Sequence, residues 1–263
     1  MDEPGFLEED YDEPRRKRWP VLVAIVVVLA LLLTYGASEL LSTEVLPRVQ
    51  TGGSADSFEF LQIEPTTGDP VRYNPCREIH YVINPRLAHE GGVADVRRGF
   101  ETIGDAAGLT FVYDGPTDED VRFERPAYQP DRYGRDWAPI LVGWVPEEQM
   151  SPRDPHPAGS GGSVAVENAR GRPVYVTGVI TLNAEARLLP GYDVGATWGD
   201  LVLHELGHVV GLAHVDDDGQ IMFESIQRGP GEFGRGDLTG LRRLGREAGC
   251  IAEPRPERDA PTR

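Results

Sequence analysis

The sequence predicts a mixed α/β domain, a sheet with helices packed on it, over roughly residues 58–251. Short segments rich in β-branched and aromatic residues stop at Pro, Gly, Asn and Asp, as strands do. Three longer stretches carry apolar residues at spacings of three and four, as helices do. One of these helices lies between two strands, an order that favours parallel pairing through a crossover.

Residues 2–13 hold seven carboxylates and few apolar side chains, which makes a solvated tail. Arg15, Arg16, Lys17 and Arg18 follow, and residues 1–18 are expected in the cytoplasm. Residues 19–38 carry no charge, and residues 21–33 are wholly apolar. That run just suffices for a signal-anchor helix across a bilayer, with Trp19 at the interface. The expected product is a single-pass membrane protein with its C-terminal bulk outside the cell. The alternative is a cleaved signal peptide cut near residues 36–37, which would release a secreted protein. Residues 39–57 are polar, include Gly52-Gly53-Ser54, and read as a linker or stalk.

The domain is placed at 58–252, beginning with a strand at 58–63. Residues 79–83 form a strand ending at Asn84-Pro85, and residues 93–107 a helix through Val96, Phe100 and Ile103. Residues 109–113 form the next strand. Residues 114–136 read as loop, with a short strand at 121–123. Strands follow at 140–145, 163–167 and 174–183, with a Pro/Gly-rich loop at 151–162 before the second of them. Residues 197–210 form a helix with Thr197 as N-cap, and Asp237 caps a last helix that runs toward Gly249. Residues 253–263, with three prolines and alternating charges, read as a disordered tail.

The helix at 197–210 carries the chemistry. His204 and His208 are four apart and project from one helix face, so two imidazoles can bind one zinc ion. Glu205 stands beside the first of them, where a carboxylate can act as general base toward zinc-activated water. Gly211 can end the helix in a left-handed turn that brings His214 to the same ion. Three histidines leave a fourth position open, the arrangement of a catalytic zinc and not of a closed structural one. A chain of this length meets H-E-x-x-H-x-x-G-x-x-H by chance on the order of one time in ten thousand.

The remaining candidates are weaker. Met222, eight residues after His214, is either core filler or the apolar floor beneath the histidines. Asp216-Asp217-Asp218-Gly219 is a polar turn or a calcium loop, and it lacks the terminal Glu of an EF-hand. His80 reads as structural and His156 as a loop residue. Cys76 and Cys250 are either two separate thiols or a disulfide, the latter requiring the oxidising compartment that an exported domain enters. The balance of 43 acidic against 26 basic residues, a net −17, excludes nucleic acid as an expected partner.

The zinc motif, Met222 and Asp237-Leu238-Thr239-Gly240-Leu241-Arg242-Arg243-Leu244 together resemble the matrixin branch of the metzincin metalloproteases. Residues 75–84 resemble the opening strand of membrane-anchored or secreted bacterial relatives. The resemblance implies a twisted, mixed sheet of about five strands, with an active-site helix and a C-terminal helix below the cleft. It implies His204, His208 and His214 as zinc ligands, Glu205 as general base and Met222 as the Met-turn. It also implies an antiparallel edge strand that pairs with extended substrate, for which 163–167 is the candidate. The cysteine-switch motif of animal propeptides is missing. With histidines outside the motif only at 80, 89 and 156, a second zinc is not expected, and calcium stays open.

The reading is therefore an extracytoplasmic zinc endopeptidase acting on protein or peptide substrates. The competing class is a non-enzymatic envelope protein, stabilised by zinc, that binds extended peptides. An intact Glu205 favours the enzyme, because a purely structural site has no use for a base. Oligomeric state is not legible.

Overall fold

The computed structural model describes residues 52–122, 124–150, 158–193, 195–225 and 230–256. The acidic tail, the apolar run at 19–38 and His156 lie outside the described residues. Among the described residues, no helix is long and apolar enough to cross a membrane.

In chain order the elements are β1 (Glu59–Phe60), β2 (Glu78–Asn84), α1 (Gly92–Ala107), β3 (Thr110–Pro116), α2 (Pro130–Tyr133) and β4 (Ile140–Val145). Then come β5 (Gly159–Glu167), β6 (Pro173–Asn183), α3 (Trp198–Val210), β7 (Leu212–Ala213) and α4 (Arg235–Leu244). Five strands form one sheet in the order β3-β2-β4-β6-β5. β2 runs parallel to β3 and β4, β4 runs parallel to β6, and β5 is the antiparallel edge. The mixed five-stranded sheet with helices is the expected fold class.

The pleat explains the two cores. Ile79, Tyr81 and Ile83 alternate onto the face covered by α1 and α3. Val82, Leu141, Val145 and Val179 belong to a smaller cluster with Val121 and Met150. β4, with both neighbours paired, is buried at every position. α1 turns Val96, Phe100, Ile103 and Ala107 inward, and Phe100 stacks on Tyr81 at 3.7 Å between ring centroids. Gly108, left-handed at φ 67°, ends this helix.

Several expectations are corrected. The strand at 58–63 shrinks to Glu59–Phe60 and pairs with β7 outside the main sheet. Residues 121–122 are not in a strand, and the loop at 114–136 contains α2. The strand at 163–167 begins four residues earlier, so 159–162 are strand and not loop. Asp237 is not the N-cap of α4: the helix starts at Arg235 after Gly234, and Asp237 is its third residue.

Both ends of the described chain are held against the domain. Ser54 N–H donates to Asp217 Oδ2 at 2.7 Å, and Arg235 N–H to Gly52 O at 3.3 Å. Beyond Cys250, Ala252 O accepts from Asn168 Nδ2 at 2.8 Å and Pro254 O from Trp137 Nε1 at 3.2 Å. Cys76 and Cys250 form a disulfide across 174 residues of sequence, with Cα atoms 5.4 Å apart.

Candidate metal centre

α3 is an apolar helix that the fold buries almost completely, and its histidines inherit that burial. Thr197 Oγ1 caps it by accepting from Asp200 N–H at 3.0 Å. The same hydroxyl donates to Asp200 Oδ2 at 3.1 Å, while Asp200 Oδ1 accepts from Gly231 N–H at 2.9 Å. Burial outweighs those bonds and pushes the Asp200 carboxyl up to about 6. At the other end Gly211 has φ 125°, a conformation that favours glycine, and its N–H closes on Gly207 O at 3.0 Å. A side chain there would also press on Leu244, Tyr175 and the Val71 carbonyl. The chain leaves α3 at this residue and returns His214 to the helix.

His204, His208 and His214 converge. Their Nε2 atoms are 3.1, 3.1 and 3.0 Å apart. His204 Nδ1 lies 2.8 Å from Ile221 O, and His208 Nδ1 2.9 Å from Leu212 O. A carbonyl can only accept, so both Nδ1 atoms carry the proton and both Nε2 atoms present lone pairs. Burial, then the neighbouring imidazole of His208, lowers His204 to about 3. Burial lowers His208 to about 4 despite its bond to Leu212. Neutral imidazoles with facing lone pairs repel unless a cation lies between them. A tetrahedral zinc with bonds of about 2.0–2.1 Å needs nitrogens about 3.3 Å apart, close to this triangle. The donor set fits zinc. Among the described residues, these three form the one group placed to hold a metal ion.

Glu205 is buried on the side of α3 that faces β5. A Cβ built on Gly159 would meet Glu205 Oε1 at 2.8 Å, and one on Gly161 would strike the Glu205 backbone. The glycines of β5 let an edge strand pass directly over the helix beside this carboxylate. Ser163 pins it further along, donating to Val209 O at 2.7 Å and sharing a 2.7 Å hydrogen bond with Tyr73. His214 is exposed and opens on a cavity of about 370 Å³ bounded by Phe58, Glu59, Asp216 and Glu224.

Beneath the histidines lies Met222, about 1% exposed, with its sulfur against Gly207. Its turn is fixed by Asp237, which helix-capping signals place at an N-cap. Asp237, buried, accepts from Ile221 N–H at 2.6 Å, Gly234 N–H at 2.9 Å and Met222 N–H at 3.3 Å. Gln220 Oε1 accepts from Gly236 and Asp237 N–H at 2.9 and 3.0 Å, locking the same corner. Nothing in the sequence separates an N-cap aspartate from one at the third helical position that reaches across to another loop. Of the other polar expectations, His80 pairs with Asp114 at 2.8 Å and His89 stacks on Trp198. Asp217 closes its own turn by accepting from Gly219 N–H at 3.1 Å.

A three-histidine centre on a helix packed under a five-stranded mixed sheet is the architecture of a zinc metalloendopeptidase. The family model for matrixin matches residues 81–244, more than half of the chain. The chain belongs to the matrixin family, whose members are zinc-dependent endopeptidases. A search of the curated proteins finds no match to it.

Proposed function

We propose that this chain is an extracytoplasmic endopeptidase in which His204, His208 and His214 hold the zinc and Glu205 is the general base. The observation that carries the reading is the convergence of three Nε2 atoms within 3.1 Å, two of them with Nδ1 committed to backbone carbonyls. Zinc supplies Lewis acidity that favours ionisation of water and polarises a carbonyl. Glu205 accepts the proton of the attacking water and delivers it to the leaving amine. The outer edge of β5 orients the substrate as an added antiparallel strand, which places a backbone carbonyl over the centre. Met222 supports the histidines from below. Export rests on the charge-free run at 19–38 behind a basic cluster, and on a disulfide that needs an oxidising compartment.

The deciding experiment compares the zinc-loaded protein with Glu205→Gln on a broad peptide library. The variant is expected to keep its zinc and lose cleavage by at least about a hundredfold, the lower range for a general base. Full turnover in Glu205→Gln refutes the role. If the native protein, with zinc bound, cleaves no peptide, the non-enzymatic reading replaces this one. N-terminal sequencing of the mature protein separates an anchor from a signal cut near residues 36–37.

A further inference from the structure

A second site lies outside the metal centre. Four arginines, Arg72, Arg170, Arg172 and Arg243, line a cavity of about 310 Å³. Its walls come from the chain ahead of β2, the β5–β6 turn, α4 and the segment around Cys250. Two carboxylates share it, so the lining carries two excess positive charges in a protein of net charge −17. Glu64 is turned onto its own loop, accepting from Thr66 and Thr67 N–H at 2.9 and 2.7 Å. Asp69 pairs with Arg172 through one guanidinium nitrogen at 2.6 Å.

Among the described residues, no carboxylate forms an ion pair with the remaining arginines of the lining. Arg72, 8% exposed, donates only to uncharged acceptors, Tyr73 O at 3.2 Å and Ala248 O at 3.0 Å. Burial and then the like charge of Arg172 push its guanidinium below its usual value, against a smaller opposing pull from Asp69. Arg172 Nε is buried without an acceptor, although the same side chain reaches Asp69. Among the described residues, the exposed Arg170 side chain makes neither a hydrogen bond nor an ion pair. A buried guanidinium that meets only carbonyl oxygens, in a wall shared with three further arginines, favours an anion in the cavity.

We infer that this cavity binds the phosphate or sulfate group of a free oxyanion or of an ester. Forked N–H donors match such oxygens, and a bound group would relieve the repulsion between Arg172 and Arg72. It would also tie together the four chain segments that form the walls, so binding should raise thermal stability.

The test uses the full zinc-loaded chain, with inorganic phosphate and sulfate compared against chloride at matched ionic strength. Saturable one-site binding by calorimetry and a rise in Tm are expected with the oxyanions and not with chloride. Arg170→Ala/Arg172→Ala should weaken binding by about tenfold or more, and Arg172→Lys by less, since it keeps the charge but loses the fork. Should the double variant be unstable, Arg170→Ala alone reports, because its side chain has no internal partner to lose. Glycerol phosphate run against inorganic phosphate separates the sources: tighter binding of the ester assigns the site to a larger molecule, equal or weaker binding to the free ion. Stabilisation that follows ionic strength whatever the anion, or affinity unchanged in the variants, overturns the inference.

Discussion

The sulfur of Met222 fills the space that a side chain on Gly207 would need. Gly207 lies between the two histidines of α3, so the helix and the turn below it touch where the helix has no side chain. The contact is one of shape: a polarisable thioether lies flat against backbone and fixes the height of the helix above the loop.

Gly207→Ala forces that sulfur aside. Overpacking of a tight core typically costs about 1–3 kcal/mol, and here the displaced group lies under the three histidines. The expected outcome is a lower Tm together with weaker zinc affinity, read by chelator competition. An alanine variant with native affinity would mean that the turn yields without moving the histidines.

Asp237 acts on the same centre through Ile221. Its carboxylate takes the Ile221 N–H while the Ile221 carbonyl takes His204 Nδ1–H, so two hydrogen bonds separate the acid from His204. Asp237→Ala should reduce zinc affinity by about 10–100-fold, the usual effect of losing an outer-shell partner. Asp237→Asn, which keeps one oxygen acceptor, should lose less. Equal zinc affinity in all three proteins would show that the turn holds itself.

The same residue sets a pH signature. Burial pushes the Asp237 carboxyl up to about 6, against the bonds from Gly234, Ile221 and Met222 that favour its anion. A carboxyl raised above its unfolded value of about 3.9 stabilises the fold most below that pH, and the contribution is lost as pH rises through about 6. The full swing is at most roughly 3 kcal/mol, since each pKa unit is worth about 1.4 kcal/mol. Denaturant melts from pH 4 to 7 should show this fall in the native protein and a flatter profile in Asp237→Asn.

Much of this centre is legible in the sequence, and the exceptions share a cause. Thr197 caps α3 and the helix ends at Gly211 because helical periodicity and capping are local. Residues 159–162 read as loop because Gly-Ser-Gly-Gly has low β-propensity. They are strand because β6 pairs with each of them, and Gly161 is free of a side chain where β5 crosses the Glu205 backbone. Asp237 meets the same limit: two of its three backbone partners lie 15 and 16 residues away on another turn. The pairing of β1 with β7, across about 150 residues, leaves no trace in either short segment.

The disulfide should stabilise chiefly by restricting the unfolded chain. Closing a loop of 174 residues is worth about 5 kcal/mol in the chain-entropy estimate, and removing native bridges typically costs about 2–5 kcal/mol. Cys76→Ser/Cys250→Ser, or reductant, should lower the unfolding midpoint accordingly. The histidine triangle is built from other segments, so zinc binding should survive well below the new midpoint. Thiol labelling of the native protein should modify neither cysteine.

Away from the centre, Arg125 and Glu119 form a buried fork, Nε to Oε1 at 2.7 Å and Nη2 to Oε2 at 2.8 Å. The Arg125 side chain is 2% exposed and also donates to Pro139 O at 2.7 Å and Thr177 Oγ1 at 3.1 Å. Tyr133 and Gln129 complete the carboxylate at 2.6 and 2.8 Å. Burial raises the Glu119 pKa, but the bonds from Arg125, Tyr133 and Gln129 outweigh it and hold the group at about 2. The sign is opposite to that of Asp237: this contribution is present above about pH 4.5 and is lost as pH falls through about 2. Glu119→Gln leaves a guanidinium buried without its counter-charge, which costs about 3–5 kcal/mol. The variant should unfold at lower denaturant at pH 7 and approach the native protein as both are acidified toward pH 2. A constant gap across that range would assign the loss to shape and not to charge.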